Sequence, residues 1–514
     1  MQQHTKHIYT ATHTWLGVIA GILLFIVTFS GFPAMFAHEL ELWQSPALTN
    51  HQPAENTDLD RVISSARQQG FDHSDFFILP SEEHGYVMLF HSGESDHDFD
   101  MRYISLHDFT ELDAGESEMA HIFEHLHTDL HLPRPFGRYL VGLAGMVMLL
   151  SIIAGIVIHT KWRKEFVMLR PKRSWRLMLT DHHKLLGLWT LPFSFILAFT
   201  GTILGLLGLI SPILALAKFD GDVEKATIAV LGPRAEIVGE AAAPVSINQL
   251  YIESKKTQPE LDVAFIQVEG LGDAGGVIKF SGNNQHHLSN LQSLTYTLKD
   301  GKQIHELNGV EKGPFQRVFA AVTPLHYVLF GDFALKVFYA ISTLALCALI
   351  VSGNMIWLSK KQQTQQEANP GSEQNLHLLA RLTLGICAGL ILTSAATLSA
   401  SQWLQGLTEQ HHYEEGIFWG VWLLGIAYAL AGNKLHHKTR IYLIASAALL
   451  LSTIIGDGVI NQRWTWNSNE LVVAIHTSLL ALALVCGYFG WRLPRSDSKT
   501  NRPAELTDQV AQTA

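Results

Sequence analysis

Residues 13–31 read HTWLGVIAGILLFIVTFSG, and residues 183–201 read HKLLGLWTLPFSFILAFTG. Aligned with a shift of 170 residues, the two stretches share their first histidine, two glycines and two phenylalanines. Each is apolar over enough residues to cross a bilayer core of about 30 Å as a helix. The sequence therefore predicts a duplicated membrane unit, with histidines at the same end of two equivalent helices.

The rest of the chain is also rich in apolar stretches. Of its 514 residues 48% are hydrophobic and 16% are charged, which is unusual for a soluble protein of this size. We expect a polytopic α-helical membrane protein with about eight spans. They lie near residues 14–36, 138–159, 185–212, 333–358, 378–400, 415–432, 440–458 and 470–491. The first span lacks a small-residue cleavage site, so we expect it to be a permanent helix.

Charge predicts the side on which each loop lies. Residues 160–182 hold seven Lys/Arg against two acids, whereas residues 38–137 hold twenty acids and four Lys/Arg. Short basic loops stay in the cytoplasm, so both long segments are expected in the periplasm and both termini in the cytoplasm. The expected location is the bacterial inner membrane.

Alternating apolar residues predict two small α+β domains in the long segments. The first has a helix near 58–69 and strands near 75–80, 85–91 and 101–106. The second repeats that order, with a helix near 246–256 and strands near 262–268, 276–281 and 293–298. The GxGxxG pattern of residues 270–275 precedes a strand rather than a helix, so it is interpreted as a hairpin turn and not as a nucleotide site.

These features give the predicted domain order. It is a first span at 1–37, a periplasmic domain at 38–137, a second span at 138–159, a basic cytoplasmic loop at 160–184, a third span at 185–212, a second periplasmic domain at 213–332, a fourth span at 333–358, a linker at 359–376, four further helices at 377–491 and a tail at 492–514.

The repeat places four histidines in two matching pairs. His13 and His183 begin equivalent helices, and His127 and His326 lie at the other end of the paired helices. Both copies start on the same side, so the repeat is parallel and its axis lies along the membrane normal. A ligand on that axis takes one residue from each copy. Neutral imidazole binds iron, so the pattern favours two haems, each held by two histidines.

Other pairings remain open. The chain has 27 histidines, and one at a helix end is often only an interfacial residue. His159 closes the second span, His182 adjoins His183, and His131 lies close to His127. We keep these three as alternate ligands.

The same segments resemble a known family. His13-Thr-Trp-Leu-Gly17, Leu126-His127-Thr-Asp-Leu130, Gly155-Ile-Val-Ile-His159, Asp181-His-His183-Lys-Leu-Leu-Gly187 and Leu325-His326 carry the likeness. Residues 1–358 resemble the PepSY-associated transmembrane-helix proteins, which include iron-regulated inner-membrane proteins and ferric-siderophore reductases. The resemblance implies PepSY-like outer domains. It also implies His13, His159, His183, His127 and His326 as the set that binds haem b.

The resemblance implies an oxidoreductase of iron uptake with two b-type haems. Such a protein passes electrons from a cytoplasmic donor to a periplasmic ferric-siderophore or another iron chelate. No nucleotide or flavin motif occurs in the chain, so the donor is expected to be a separate molecule. The alternative is an iron or siderophore permease, or an accessory transport subunit, with PepSY binding modules and no haem. The four additional C-terminal helices favour that alternative.

A few further signals carry separate expectations. His121, His125 and His127 are candidates for a metal-capture patch, and the acidic loop 94–100 for an iron or calcium site. His476 lies inside a predicted span, where an ionisable residue indicates a function. The tryptophans near outer span ends predict an aromatic belt; they are Trp43, Trp403, Trp464 and Trp466.

Overall fold

The chain folds into two compact units, Met1–Ile356 and Trp357–Ala514. The computed structural model describes residues 3–49, 52–54, 57–93, 99–170, 175–310, 313–368, 373–432 and 434–493. The acidic loop at 94–98 and the tail from residue 494 onward lie outside these ranges.

The first unit alternates long helices with two strand-rich segments. Its helices are α1 (Gln3–Ala34), α2 (Ala37–Gln44), α3 (Pro46–Thr49), α4 (Leu59–Gln68), α5 (Met119–Thr128), α6 (Phe136–Ile158), α7 (Trp162–Glu165), α8 (Trp175–Trp189), α9 (Leu191–Lys218), α10 (Val223–Leu231), α11 (Ile247–Thr257), α12 (Pro314–Tyr327) and α13 (Phe333–Ala368). The predicted helices near 58–69 and 246–256 are confirmed as α4 and α11.

The strands of both segments form one antiparallel sheet. The strands are β1 (Phe76–Ser81), β2 (Tyr86–Ser92), β3 (Phe99–Ser105), β4 (Glu111–Leu112), β5 (Leu261–Glu269), β6 (Val277–Asn284), β7 (Gln292–Thr297) and β8 (Gln303–Asn308). Their order is β4-β3-β2-β1-β5-β6-β7-β8. All six predicted strands are confirmed, and β4 and β8 are additional. Residues 270–276 connect β5 to β6, so the GxGxxG pattern lies in a hairpin.

The expectation of two separate α+β domains was therefore wrong in one respect. The first strand of each segment pairs with the other, with Phe76 opposite Val268 and Ile78 opposite Ile266. Ile78 and Ile266 are both fully buried, in one core to which α4, α11 and the strands β1–β3 and β5–β7 contribute. Burial of both isoleucines favours pairing because an unpaired edge at this position would expose backbone and apolar surface together.

The two sheet helices also stabilise each other at their first turns. Asp58 caps α4, accepting a hydrogen bond from the Arg61 amide. The next carboxylate on α4, Asp60, accepts from the Ser246 hydroxyl and from the Ile247 amide at 2.8 Å, at the start of α11. A carboxylate at a helix N-terminus satisfies amides that have no partner within their own helix.

Several helices of the chain have the length of a membrane span. Among the described residues, seven helices are long and apolar enough to cross a membrane. They are Gln3–Ala34, Phe136–Ile158, Leu191–Ile213, Phe333–Gln362, Leu376–Trp403, Leu435–Ile460 and Glu470–Arg492. The span predicted at 415–432 is the helix α15 (Gln410–Leu430), which carries Glu414 and Glu415 and is not among the seven. An eighth crossing stays a prediction.

Two boundaries differ from those predicted. The segment predicted as a loop up to residue 184 is largely helical, because α8 begins at Trp175 and carries His183. The linker predicted from residue 359 continues the helix α13 as far as Ala368. Residues 354–368 contain no glycine or proline that would end α13 earlier.

The second unit consists of four long helices. They are α14 (Glu373–Trp403), α15, α16 (Leu435–Ile460) and α17 (Glu470–Arg492). Helix α14 packs against α15 and α16, and α16 packs against α17. Trp466 is exposed, as a membrane-surface residue would be, whereas Trp43 of the first unit is fully buried. The predicted belt was therefore wrong at Trp43, which belongs to the protein interior.

Asp60→Ala tests the link between α4 and α11. We expect a loss of about 1 kcal/mol in unfolding free energy, since the substitution removes the acceptor at the start of α11. Asp72→Ala, an exposed carboxylate after α4, is the control and should change little. Denaturant unfolding in detergent measures both. Equal effects of the two substitutions would contradict a capping role for Asp60.

Candidate functional site

The first histidine pair joins α1 to α8. The ring centres of His13 and His183 lie 6.2 Å apart, and the ring planes are inclined by 72°. Each ring is anchored on the following long helix of its own half. The Nδ1 of His13 is 2.8 Å from the Ser151 carbonyl oxygen on α6. The Nδ1 of His183 is 3.1 Å from the Leu349 carbonyl oxygen on α13.

The second pair joins α5 to α12, the short helices that follow the strands of each half. The ring centres of His127 and His326 lie 6.0 Å apart, with an interplanar angle of 26°. The Nδ1 of His127 is 2.8 Å from the Val27 carbonyl oxygen on α1. The Nδ1 of His326 is 2.9 Å from the Thr200 hydroxyl oxygen on α9. The structure thus brings together His13 with His183 and His127 with His326.

These contacts fix the tautomer of all four rings. A backbone carbonyl only accepts hydrogen bonds, so His13, His183 and His127 carry their proton on Nδ1. The Thr200 hydroxyl donates its own hydrogen to the Ile196 carbonyl at 2.7 Å, so its oxygen accepts from His326. Burial lowers the pKa of His326 to about 3, which keeps that ring neutral. Each Nε2 therefore keeps its lone pair, and it points away from the anchoring helix.

Glycines on the anchoring helices allow the rings to approach. A Cβ on Gly155 would lie 3.2 Å from Cε1 of His13, and one on Gly353 would lie 3.1 Å from Cε1 of His183. The second pair repeats this contact. A Cβ on Gly31 would lie 2.9 Å from Cε1 of His127, and one on Gly201 would lie 3.1 Å from Cε1 of His326. All four separations are shorter than ordinary van der Waals contact, so each position requires glycine or a displaced ring.

The ring separations fit two imidazoles on one iron. A bond of about 2 Å from iron to each nitrogen, plus about 1 Å from that nitrogen to its ring centre, places two ring centres about 6 Å apart. Both pairs have this separation. In metal sites a ligating histidine donates its other N–H to a carbonyl, hydroxyl or carboxylate, and all four Nδ1 contacts satisfy that condition. The residues present therefore fit two bis-histidine haems.

An apolar region lies between the pairs. His13 and Val27, whose carbonyl anchors His127, are fourteen residues apart on α1, or about 21 Å along the helix. Leu24, Ala144, Met148, Ala198 and Leu346 form a buried cluster contributed by α1, α6, α9 and α13. This distance is about two thirds of a bilayer core of about 30 Å. The two pairs thus lie towards opposite ends of the helices.

The alternate histidines have other surroundings. His182 is exposed and bonds through Nδ1 to the Met178 carbonyl of its own helix. His131 bonds through Nε2 to the Ile122 carbonyl and packs beside His125. His159 is the C-terminal cap of α6 and is half-buried. The ring-to-ring contacts of the two pairs involve none of these three histidines.

The proposed metal-capture patch on α5 is not assembled. His121 lies between Glu41 at 3.3 Å and Glu124 at 3.2 Å, whereas His125 bonds to Asp129 and His127 turns to α1. Burial raises the pKa of Glu41 to about 7. Within the described ranges no group of three or more His, Cys, Asp or Glu side chains is placed to hold a metal ion.

Sequence reasoning missed the groups that position the rings. Ser151, Ser352 and Thr200 place hydroxyl oxygens 3.2, 3.0 and 2.9 Å from the Nδ1 atoms of His13, His183 and His326. Thr200 adjoins Gly201, which the repeat had already singled out. The other two precede Gly155 and Gly353 by four residues and one residue. Polar residues close to those glycines in the sequence could therefore have been used to predict the groups that bond to the histidine rings.

His476 of the second unit has a partner that its sequence did not reveal. Its Nε2 is 2.9 Å from Oδ2 of Asp457, and its Nδ1 is 3.1 Å from the Thr465 hydroxyl. The guanidinium of Arg463 bonds to Oδ1 of the same aspartate, with Nη2 at 2.6 Å and Nε at 2.9 Å. Asp457 is fully buried. This network ties the connection between α16 and α17 to both helices.

Comparisons with known proteins cover most of the first unit. The model of the family described as PepSY-associated TM region matches residues 10–360. The chain is also similar to an uncharacterized protein of Pseudomonas aeruginosa. The two sequences are 28% identical over 287 residues, which cover 54% of this chain and 71% of that protein. The family match includes all four paired histidines.

Gly31→Ala tests the close packing of His127 on α1. The new methyl group overlaps the ring, so we expect a loss of about 1–3 kcal/mol in unfolding free energy despite the better helix propensity of alanine. Gly420→Ala on α15 is the control, since its Cβ would meet nothing within 4 Å. Denaturant unfolding in detergent measures both. A stable Gly31→Ala protein would contradict the required contact.

Asp457→Asn tests the buried network of the second unit. Loss of the carboxylate leaves the buried Arg463 charge uncompensated, so we expect a loss of about 3–5 kcal/mol in unfolding free energy. Glu415→Gln removes a charge from an exposed position on α15 and should cost less than about 0.5 kcal/mol. If Asp457→Asn lowers the unfolding free energy no more than Glu415→Gln does, the network contributes little to stability.

Proposed function

The chain belongs to the family of PepSY-associated transmembrane-region proteins, and on that premise we propose that it is a membrane reductase with two b-type haems. It takes electrons from a cytoplasmic donor and delivers them to a ferric-siderophore or another iron chelate in the periplasm. Its role is to aid iron uptake.

One observation carries the proposal. Two histidine pairs lie near opposite ends of one helix bundle, with ring centres 6.2 and 6.0 Å apart. A structural role alone does not require four rings that share one tautomer and contact four glycines in the same way. Histidines that only lie at a membrane interface would be expected to direct their ring nitrogens to water.

The chain's own residues hold and orient the cofactors. His13 and His183 are the proposed ligands of one haem b, and His127 and His326 those of the other. Haem supplies one-electron chemistry when it is bound. The anchoring carbonyls and hydroxyls hold each ring at a fixed angle, and the apolar cluster between the pairs excludes water.

The sides of the membrane follow from charge. Residues 160–182 are basic, and short basic loops stay cytoplasmic, so the His13/His183 pair lies at the inner face of the bacterial inner membrane. The His127/His326 pair and the sheet then lie on the periplasmic side, and both termini lie in the cytoplasm. The chain has no nucleotide motif, so a separate cytoplasmic reductant supplies the electrons.

An iron chelate suits this position as the acceptor. Siderophores hold Fe(III) through hard oxygen ligands, and such ligands bind Fe(II) less tightly. One electron per iron therefore weakens the chelate without hydrolysis or transport of the complex. The sheet lies on the same side as the second pair and provides the surface on which a chelate meets it.

Haem content tests the proposal directly. The purified protein is expected to contain two b-type haems per chain by the pyridine-haemochrome assay. His183→Ala and His326→Ala should each lose about one haem, because each removes one axial ligand. His182→Ala and His131→Ala are the matched controls, since these neighbouring rings bond elsewhere, and both should keep two haems. A wild-type protein without haem absorbance would contradict the proposal and favour a permease or an accessory transport subunit.

The ring angles give a second readout in the same preparations. A ferric haem with nearly perpendicular imidazole planes gives a strongly anisotropic low-spin EPR signal, whereas nearly parallel planes give a rhombic one. The angles of 72° and 26° therefore predict one signal of each kind. His183→Ala should remove the anisotropic signal, and His326→Ala the rhombic one.

A further inference from the structure

A buried amide lies next to the His13/His183 pair. Asn354 directly follows Gly353, the residue that faces the His183 ring, and it is 7% exposed. Within the seven described helices of membrane-spanning length it is the only asparagine, and it lies inside Phe333–Gln362. An amide at such a position needs hydrogen-bond partners, because lipid tails supply none.

The protein itself does not satisfy this amide. Among the residues that the structure describes, the side chain of Asn354 forms no hydrogen bond. The nearby hydroxyl of Ser352, by contrast, donates to the Leu349 carbonyl at 2.8 Å and lies 3.0 Å from Nδ1 of His183. Asn354 is therefore a buried polar group whose donors and acceptor remain available to a bound molecule.

The amide extends from α13 to α1. A Cβ on Gly21 would lie 2.6 Å from Nδ2 and 2.7 Å from Oδ1 of Asn354, so the amide lies directly against the backbone of α1. The same helix carries His13, eight residues before Gly21. The amide thus lies between the helix that carries one ring of the pair and the helix to which the other ring, that of His183, is bonded.

The first half of the repeat has no equivalent amide. Gly155 and Gly353 face the rings of His13 and His183 in the same way, so the residue that corresponds to Asn354 is Ile156. The residue that corresponds to Gly21, at a shift of 170, is Leu191. Because the repeated fold forms with apolar residues at both of these positions, helix packing does not require the amide. Its position beside one histidine pair instead indicates a contact with a ligand of that pair.

We propose that Asn354 is a haem-binding residue of the His13/His183 site, and that its amide donates a hydrogen bond to a propionate of that haem. The inference rests on the proposed haem function. The propionates are the polar substituents of haem b, and a carboxylate away from bulk water is stabilised by N–H donors. The negative charge of a propionate favours ferric iron, so a donor that offsets part of this charge raises the reduction potential.

A redox titration of the purified holoprotein, followed by haem absorbance, tests this contact. His183→Ala identifies the component that belongs to the His13/His183 site. Asn354→Leu and Asn354→Ala both remove the amide, so each should shift that component to lower potential and leave the other component in place. Thr343→Val is the matched control, because it removes a buried hydroxyl of α13 that already donates to the Tyr339 carbonyl at 2.9 Å. It should leave both components unchanged.

Thermal unfolding distinguishes a haem contact from a purely structural role. In the holoprotein Asn354→Leu should lower the unfolding midpoint, because a hydrogen bond to the haem is lost. In the His183→Ala background, which is expected to lack that haem, the same substitution should raise the midpoint, because it replaces an unpaired amide by an apolar group. A midpoint lowered equally in both backgrounds would overturn the proposal, since the amide would then bond within the protein.

The outcomes separate this inference from the function itself. A wild-type protein without haem defeats the proposed function and this inference together. Two haems whose potentials stay unchanged in both Asn354 variants would overturn the role of Asn354 alone, and so would the same shift in Thr343→Val. Loss of one haem in both Asn354 variants, with two haems kept in Thr343→Val, would support the contact.

Discussion

The hydrogen bond from each histidine Nδ1 to the neighbouring helix is the interaction on which the rest of the first unit depends. It fixes the tautomer and joins each ring to a neighbouring helix. A Cβ on the residue facing each ring would lie 2.9–3.2 Å from that ring, so each position needs glycine unless the ring moves. The same combination therefore occurs at all four histidines: a ring bonded to a neighbouring helix, close spacing at that contact and a glycine facing the ring.

The sheet also helps to position one of the histidine pairs. His127 and His326 belong to the short helices α5 and α12, each of which follows directly on the last strand of its half. Because β1 pairs with β5, the two halves form a single sheet and present both short helices from one scaffold. The single sheet thus gives the two rings of this pair a common support, with one ring from each half.

Much of this arrangement could be predicted from the sequence, and the remainder has physical reasons. The strands and sheet helices follow from periodicity, and the pairing of His13 with His183 follows from a repeat that keeps glycine and phenylalanine at fixed offsets. The β1–β5 contact was missed because strand pairing between distant segments leaves no local signal. Thr200 was missed because a hydroxyl at a helix position usually bonds only to its own backbone. The partner of His476 was missed because Asp457 lies on another helix, at a spacing no local pattern records.

The shared sheet also has a consequence for how the chain is made. Residues 76–81 are synthesised long before residues 261–269, yet β1 needs β5 to complete its hydrogen bonds. During that interval the nascent protein presents an open strand edge with apolar residues beside it, a surface prone to pairing with other chains. The first half must therefore wait for the second before its sheet is complete, and a chaperone that shields open strand edges would protect this protein during synthesis.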